Sequence, residues 1–350
     1  MRIVVVGASG NVGTSVLRAL AAEPEVSAVV GIARRVPRAE FEKTEWAAAD
    51  ITRDDLVPHF QGADAVVHLA WAIQPSRDLE QLWRINVRGS ERVFKAVADA
   101  GVSALVYASS VGAYSPGPKD RRVDESWPTG GIASSFYSRH KAETERLLDR
   151  FEREQPDIRV VRLRPGLIFK REAATGIRRL FAGPFFPSLL VRGGRVPIVP
   201  DIRGLRFQAV HSLDVGDAYR RALVADVRGP FNIAAEPVLD PAALAELFGA
   251  RLVPLGPQVA RTLAQISWRL HLQPTPAGWV DMGLGVPLLD YSRAQSELGW
   301  QPRRSSGEAL RELLQGMADG AGADTPPLSP ETTAPFRVRE LLTGVGRSSG

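Results

Sequence analysis

Cysteine is absent from the 350-residue chain. This absence excludes a disulfide, a thiolate metal site and a cysteine nucleophile. It also fits a reducing compartment, so we expect the protein in the cytoplasm. No run of about 18 apolar residues occurs, and the first residues lack the basic-then-apolar pattern of a signal peptide, so we expect no membrane partner. The 5 histidines are scattered without metal-ligand spacing and predict no metal site.

Lysine is also scarce, because nearly all of the 44 basic residues are arginines. A formal net charge of +5 is one feature of nucleic-acid-binding proteins. The arginines are interspersed with acidic residues, however, and no basic patch with interleaved aromatic residues occurs. We therefore expect no nucleic-acid partner. The length and the 44% hydrophobic content predict one large α/β domain with an attached lobe.

A glycine-rich turn near the N-terminus gives the first functional signal. Residues 3–6 form an apolar, β-branched run typical of a buried parallel strand, and residues 14–22 have the pattern of a helix. Between them, Gly7 permits a tight turn, Gly10 lets the backbone approach a pyrophosphate, and Gly13 lets the helix pack close to the strand. The free N–H groups and the dipole of a helix N-terminus attract phosphate. Strand, turn and helix in this order predict a dinucleotide site rather than a simple turn.

A tyrosine and a lysine four residues apart, Tyr137 and Lys141, give the second signal. That spacing places both side chains on one face of a helix. A phenol titrates at about 10, and a nearby ammonium favours the phenolate and lowers that pKa. The same ammonium can hold a ribose hydroxyl. Such a pair alone is commonly a packed tyrosine beside a solvated lysine, but together with the glycine-rich turn it indicates hydride chemistry on a nicotinamide cofactor.

Strand and helix patterns alternate along the first half of the chain, which predicts right-handed βαβ units and a parallel sheet covered on both faces. We assign residues 1–165 and about 206–235 to this NAD(P)-binding domain. After residue 165 the pattern breaks into short pieces rich in Gly and Pro, so residues 166–205 and 236–317 are assigned to a smaller substrate-binding lobe. Residues 318–350 begin with a stretch rich in Ala, Gly, Thr and Pro and are predicted to form a flexible tail.

The turn and the Tyr–Lys pair belong to a longer ordered series of motifs. The series comprises the turn from Gly7 to Gly13, Asp50-Ile51, His68-Leu69-Ala70, Asn86-Val87-Arg88-Gly89, Ala108-Ser109-Ser110 with Tyr114, Tyr137 with Lys141, Arg164-Pro165-Gly166, His211-Ser212-Leu213-Asp214-Val215 and Leu298-Gly299-Trp300-Gln301-Pro302. Over roughly residues 1–318 the chain resembles the extended short-chain dehydrogenase/reductase (NAD-dependent epimerase/dehydratase) family. The resemblance implies an α/β fold, a Rossmann-type doubly wound parallel sheet with a smaller C-terminal substrate lobe.

The resemblance also implies a catalytic set. Ser110 would hydrogen-bond the substrate oxygen, with Ser109 as the rival for this role, and Ser110 is preferred because Tyr114 fixes the register. Tyr137 would be the acid/base at that oxygen, and Lys141 would hold the nicotinamide ribose and lower the Tyr137 pKa. The implied cofactor-binding set comprises Gly7, Ser9, Gly10, Asn11, Val12, Gly13, Arg34, Arg35, Asp50, Ile51, Leu69, Ala70, Trp71, Asn86, Ala108, Tyr137, Lys141 and Pro165.

The residues that end the second predicted strand indicate the choice of cofactor. NAD enzymes usually place an acidic residue there to bind the ribose 2′-hydroxyl. Here Gly31-Ile32-Ala33-Arg34-Arg35 has no acid, and two guanidinium groups suit a 2′-phosphate. A solvated arginine pair in an arginine-rich chain is the alternative interpretation. We predict NADP(H) as the favoured cofactor and leave NAD(H) open.

Departures from the family pattern bear on the substrate. Phe136 stands where many nucleotide-sugar members carry proline, and Trp71 stands where small residues are common. Arg206 lies one position away from the register of the arginine that clamps a diphosphate in those members. Together with the pair Phe185-Phe186, the aromatic residues predict a partly apolar pocket.

We therefore predict an NAD(P)-dependent oxidoreductase that transfers hydride at a carbonyl or secondary alcohol of a small molecule. A nucleotide-sugar epimerase or dehydratase that retains its cofactor is the alternative, and a non-catalytic dinucleotide sensor is the second alternative. The sensor is disfavoured because such proteins usually lose the tyrosine or the lysine that this chain retains. The expected partner is a small-molecule substrate, and assembly as a homodimer is left open.

Overall fold

A computed structural model describes residues 1–74, 76–182 and 196–329. Its strands are β1 (Arg2–Val6), β2 (Ala28–Ala33), β3 (Thr44–Ala48), β4 (Ala65–His68), β5 (Ala104–Ala108), β6 (Arg122–Val123), β7 (Arg159–Pro165), β8 (Leu167–Phe169), β9 (Ile198–Asp201), β10 (Ala209–His211), β11 (Gly229–Ile233), β12 (Arg251–Pro254) and β13 (Leu288–Leu289). Its α-helices are α1 (Asn11–Ala21), α2 (Val57–Phe60), α3 (Leu79–Trp83), α4 (Gly89–Asp99), α5 (Phe136–Glu154), α6 (Ala174–Ile177), α7 (Ser212–Val224), α8 (Pro241–Phe248), α9 (Pro257–Arg269), α10 (Gly278–Gly285), α11 (Ser292–Leu298) and α12 (Ser306–Asp319).

Seven strands form one parallel sheet in the order β11-β7-β5-β4-β1-β2-β3. Its central strands are short apolar runs because helices cover both faces of a parallel sheet. One cluster of buried apolar side chains joins the sheet to α1 and α7, and a second joins the opposite face to α4 and α5. The predicted α/β class and doubly wound sheet are confirmed.

The connection order reverses beside β1, which lies between β2 and β4. In doubly wound sheets, ligands bind at such a switch point, outside the carboxyl ends of the strands. The segments after β1, β2, β4 and β5 all begin at this edge because the strands are parallel. The edge therefore gathers the glycine-rich turn, Arg34, Leu69 and Ser109 from distant parts of the sequence.

The smaller elements pair as β8 with β10, β9 with β12, and β6 with β13. Part of the predicted lobe, residues 183–195 with the pair Phe185-Phe186, lies outside the described residues. The division into two domains stays a prediction. Within the described ranges, every helix is too short or too polar to cross a membrane.

The predicted boundary of the tail at residue 318 falls inside α12, which begins at a capping box formed by Ser305 and Glu308. Beyond this helix the carbonyl oxygen of Ala321 accepts a hydrogen bond of 2.8 Å from the Thr175 hydroxyl. Leu328 is buried as well. Residues 318–329 thus bury an apolar side chain and bond to the body, and the extent of the flexible tail stays a prediction. Residues 330–350 lie outside the described residues.

Candidate active site

The glycine-rich turn joins β1 to α1 at the switch point. Gly7 has φ +87, and a Cβ there would lie 2.7 Å from the backbone nitrogen of Ala70. A Cβ on Gly13 would lie 2.4 Å from the carbonyl oxygen of Ala8, so neither position has room for a side chain. A Cβ on Gly10 would meet only the Gly7 carbonyl oxygen, at 3.5 Å, so the space beside Gly10 is open.

The first turn of α1 is suited to a diphosphate. Gly10 is the N-cap and has no side chain with which to cap α1, so among the residues that the structure describes the first N–H groups of this helix remain available to an anion. The side-chain oxygen Oδ1 of Asn11 is buried and has no hydrogen-bond partner among the described residues. This acceptor suits a hydroxyl donor rather than a phosphate, so the fit of the turn to a dinucleotide rests on the glycines and on the first N–H groups of α1.

A buried lysine that the sequence analysis missed braces this turn. The Nζ of Lys170 donates hydrogen bonds to the Asn11 carbonyl oxygen (2.7 Å), the Thr14 hydroxyl (2.6 Å) and the Ser15 hydroxyl (3.1 Å). Burial lowers the Lys170 pKa to about 8. The sequence gives no local signal for this role, because more than 150 residues separate Lys170 from the turn.

The predicted adenine end lies after β2 and β3. Arg34 and Arg35 directly follow β2, and both are exposed. The Asp50 carboxylate accepts hydrogen bonds from the Thr52 backbone N–H (2.9 Å) and hydroxyl (2.7 Å). Burial raises the Asp50 pKa, but the Thr52 hydrogen bonds and the nearby Arg34 charge outweigh it, so the pKa is lowered. Ile51 is buried beside Asp50.

Asn86 fixes the segment that follows β4. Its side-chain oxygen accepts from the backbone N–H of Ala72 (2.7 Å), and its amide nitrogen donates to the Ala72 carbonyl (2.8 Å). Asn86 lies in a π-helical turn, Arg84–Arg88, between α3 and α4. Its amide thus shapes the segment containing Leu69, Ala70 and Trp71. The other predicted cofactor residues near the same edge are Ser9, Val12, Ala108 and Pro165.

The two serines after β5 have different surroundings. The Ser110 hydroxyl caps a 3-10 helix by accepting from the Gly112 N–H (3.0 Å), and the Tyr137 ring packs against this short helix, because a Cβ on Gly112 would lie 2.8 Å from the ring carbon Cε1. The Ser109 hydroxyl instead donates to the buried carboxylate of Glu145. The geometry therefore separates the two rivals: Ser110 meets Tyr137, whereas Ser109 belongs to a buried ionic network.

Tyr137 and Lys141 occupy the first two turns of α5, whose N-cap Ser135 accepts from the Ser138 N–H. The Lys141 Nζ donates to the Ala108 carbonyl (2.6 Å) and lies 3.5 Å from the centroid of the Trp71 ring. Burial lowers the Lys141 pKa well below its ordinary value. Tyr137 is half-buried, and desolvation by burial raises its pKa, which the nearby Ser110 hydroxyl opposes only in part.

This result corrects the expectation that Lys141 lowers the Tyr137 pKa. The ammonium is directed toward Ala108 and Trp71, and its nitrogen lies 5.9 Å from the centroid of the Tyr137 ring. Desolvation of the phenol therefore dominates, and Tyr137 is protonated at neutral pH.

Aromatic side chains form a wall around Tyr137. Ring centroids lie 5.8 Å apart for Trp71 and Tyr137, and 5.1 Å apart for Tyr137 and Trp279. Trp279 also meets Phe181 at 4.8 Å and Phe136 at 6.0 Å. Trp279 lies on α10, and the sequence analysis missed it because its position beside Tyr137 arises only from the tertiary fold. The indole N–H of Trp71 is buried without a partner among the described residues, which leaves a donor available at this wall.

Arg206 forms a reciprocal contact with Lys119. The guanidinium Nη1 donates to the Lys119 carbonyl (2.6 Å), and the Lys119 Nζ donates to the carbonyls of Arg206 (2.8 Å) and Gly283 (2.9 Å). Burial lowers the Lys119 pKa to about 8. The pair places two cationic side chains next to α10, the helix that carries Trp279.

Comparison with known proteins identifies the family. The chain matches the NAD dependent epimerase/dehydratase family over residues 3–234. It is 28% identical over 316 residues to an uncharacterized protein of Mycobacterium tuberculosis, a match covering 89% of this chain and 30% of that protein. It is 33% identical over 110 residues to the L-arabinose 1-dehydrogenase (NAD(P)(+)) of Haloferax volcanii, covering 31% of this chain and 41% of that enzyme.

Among solved structures, UDP-glucose-4-epimerase from Stenotrophomonas maltophila with bound NAD and formylated UDP-arabinopyranose has the same fold. The TM-score is 0.69 at 21% identity, over 91% of this chain and 98% of that chain. The chain therefore belongs to the NAD dependent epimerase/dehydratase family. It spans 30% of the length of the mycobacterial relative.

Proposed function

We propose that the chain is a cytoplasmic NADP(H)-dependent oxidoreductase that transfers hydride at a carbonyl or secondary alcohol of a small, partly apolar molecule. The observation that carries the proposal is the packing of Tyr137 against the Ser110–Gly112 turn, with Lys141 one helical turn away. These groups lie at the sheet edge that also holds the glycine cradle. A binding protein without catalysis has no need of this arrangement.

The chain's own residues would act at one substrate oxygen. Ser110 hydrogen-bonds that oxygen and orients it beside Tyr137. Tyr137 gives its proton to the oxygen during reduction, and its raised pKa keeps that proton in place at neutral pH. Lys141 turns from Trp71 to hold a ribose hydroxyl. A bound nicotinamide supplies or accepts the hydride at the adjacent carbon.

The aromatic wall supports an apolar substrate body. Trp71 and Trp279 lie on either side of Tyr137, and aromatic walls favour flat or cyclic apolar groups, with few polar contacts to fix orientation. The alternative, a nucleotide-sugar epimerase or dehydratase that retains its cofactor, is favoured by one observation. Arg206 and Lys119 place two cations beside α10, where they would suit a diphosphate.

Thermal-shift measurements with NADPH present distinguish these substrate classes. We expect cyclic and aromatic ketones to raise the melting temperature, because a ligand at 100 times its Kd stabilises by about 2.7 kcal/mol. The Trp279→Leu variant should lose this shift while melting near the native temperature without ligand. Selective stabilisation by uridine or thymidine diphosphate sugars, abolished by Arg206→Ala, would instead establish the epimerase or dehydratase alternative.

Binding titrations test the cofactor preference. Arg34 and Arg35 are exposed after β2, where charge-assisted hydrogen bonds to a 2′-phosphate would favour NADPH over NADH by about 1–3 kcal/mol. We expect Arg34→Ala with Arg35→Ala to remove that preference and to leave NADH affinity unchanged. Arg38→Ala is the matched control, since this arginine follows the same strand a few residues later. Equal native affinities for the two cofactors would refute the assignment.

A further inference from the structure

Lys170 carries a positive charge into the interior behind the glycine-rich turn. Its side chain is 1% exposed, and its Nζ directs all three N–H groups at the Asn11 carbonyl, the Thr14 hydroxyl and the Ser15 hydroxyl. The Thr14 hydroxyl in turn donates to the Gly10 carbonyl at 3.1 Å. Asn11 is the first residue of α1, so the charge lies within about one helical turn of the N–H groups that face an anion.

The oxygen atoms that accept hydrogen bonds from Lys170 are all neutral. Of the two acidic residues that act on its charge, Glu172 pairs with Arg18 at 3.1 Å. The other, Glu312, lies 3.2 Å from the Nε2 of His211. Further charged residues on the neighbouring elements and around the cavity beside Lys170 are Arg171, Asp319, Glu40, Glu42 and Asp324. Buried charges in proteins are normally paired, and a diphosphate held by α1 would bring an anion to the other side of the turn.

We propose that Lys170 is a positioning residue whose charge strengthens the binding of the cofactor diphosphate at the N-terminus of α1. Its ammonium fixes the first turn of the helix through Asn11, Thr14 and Ser15, and it adds to the positive end of the helix dipole. The charge acts at close range because solvent does not screen a buried group. Lys170 acts through the turn and is not a catalytic residue. The inference rests on the proposed cofactor site.

The charge of Lys170 depends on pH near neutrality. Burial lowers the Lys170 pKa to about 8, and Arg18 adds to this effect, whereas Glu172 and Glu312 oppose it. The ammonium is therefore present at about pH 7 and largely lost at about pH 9.5. A bound diphosphate favours the charged form and raises the pKa, so cofactor binding above pH 8 takes up a proton. The affinity for the cofactor should consequently fall as the pH rises above 8.

Fluorescence titration of the full chain with NADPH tests the inference. At about pH 7 we expect Lys170→Met to bind NADPH roughly tenfold more weakly than the native chain, and at about pH 9.5 this gap should narrow to about twofold to threefold. The gap isolates Lys170, because Lys141 and all other titrating groups are the same in both proteins. Lys43→Met is the matched control and should leave the affinity unchanged, since the half-buried Lys43 donates to the Glu23 carbonyl (2.9 Å) beyond the opposite end of α1.

Lys170→Arg separates the charge from its titration and serves as the second variant if Lys170→Met does not fold. A guanidinium stays charged at both pH values, so this variant should bind NADPH more tightly than Lys170→Met and lose less affinity than the native chain as the pH rises. A native affinity that is equal at both pH values would overturn the inference without any variant. A gap of the same size at both pH values would also overturn it, because Lys170 would then act only as a brace. If the native chain binds neither NADPH nor NADH at either pH, the proposed cofactor site itself is wrong, and the inference with it.

Discussion

We expect the Tyr137→Phe variant to turn over substrate at least about 100-fold more slowly than the native chain, with unchanged affinity for the nicotinamide cofactor. General acid–base catalysis by a positioned side chain contributes on the order of 10²–10⁴ in rate. The substitution removes only the phenolic hydroxyl and keeps the ring between Trp71 and Trp279. Stopped-flow or steady-state rates and a fluorescence titration with NADPH measure the two quantities separately.

Tyr291→Phe is the matched control for this experiment. Tyr291 is a partly buried tyrosine that packs against the same apolar cluster as Tyr137, but its ring lies 6.0 Å from that of Trp300 and it is not one of the proposed catalytic residues. The same chemical change there should leave the rate within a factor of two or so, the scale of a substitution away from special features. If Tyr137→Phe retains the native rate, the acid/base assignment is wrong, whatever the cofactor affinity.

Substitutions of the two serines after β5 give a second test of the same catalytic assignment. Ser110→Ala should slow turnover, because Ser110 meets Tyr137, whereas Ser109→Ala should act on stability, because Ser109 donates to buried Glu145. Slow turnover in a stable Ser109→Ala variant, with normal turnover in Ser110→Ala, would exchange their roles.

The parallel sheet and the position of its functional edge follow from local sequence patterns. Valine-rich runs alternating with amphipathic segments have few other stable arrangements, and parallel strands bring their carboxyl ends to one edge. The sequence patterns therefore predict that the turn from Gly7 to Gly13 lies at the sheet edge that also carries Ser110. The structure confirms that Gly13 must be a glycine, because a Cβ there would clash with the Ala8 carbonyl oxygen at 2.4 Å.

Contacts between residues that lie far apart in the sequence could not be predicted from local sequence patterns. Trp279 contacts Tyr137 across about 140 residues, and no local pattern links a helix of the lobe to the catalytic helix. The spacing of four residues correctly places Tyr137 and Lys141 on one face of a helix. It does not predict the direction of the Tyr137 pKa shift, because the burial that lowers the Lys141 pKa and raises the Tyr137 pKa arises only from the tertiary fold. In an arginine-rich chain, the composition does not predict which arginines are buried. Two buried arginines are Arg162 and Arg164.

The second large effect concerns the ionic network beneath the site. Glu145, on α5 one turn beyond Lys141, is fully buried. Its carboxylate accepts from Arg164 through Nε (2.9 Å) and Nη2 (2.8 Å), from Arg162 through Nη1 (2.8 Å), and from the Ser109 hydroxyl. Arg164 also donates to the Tyr114 hydroxyl at 3.1 Å. The network thus ties α5 to β7 and to the segment that carries Ser110.

We expect Glu145→Gln to lose about 3–5 kcal/mol of unfolding free energy, because it removes the carboxylate that pairs with the buried Arg164, whereas Arg162 keeps its ion pairs with Asp149 and Glu152. The melting temperature should fall by on the order of 5–15 °C. Glu143→Gln is the matched control on the same helix. Glu143 pairs with Arg146 at the surface, so its loss should cost no more than about 0.5 kcal/mol. Differential scanning calorimetry measures both.

The pH dependence of this difference identifies the charge as its cause. Burial alone would raise the Glu145 pKa, but Arg164, Arg162 and the Ser109 hydrogen bond lower it from 4.5 to about 2. A carboxyl whose pKa is depressed in the folded state contributes stability that is complete above the unfolded value and is lost as the pH falls toward the folded value. The gap between the native chain and Glu145→Gln should therefore be constant above about pH 5 and narrow as the pH falls from 4.5 toward 2. A gap that stays constant down to pH 3 would mean that Glu145 stabilises the fold by packing rather than by its charge.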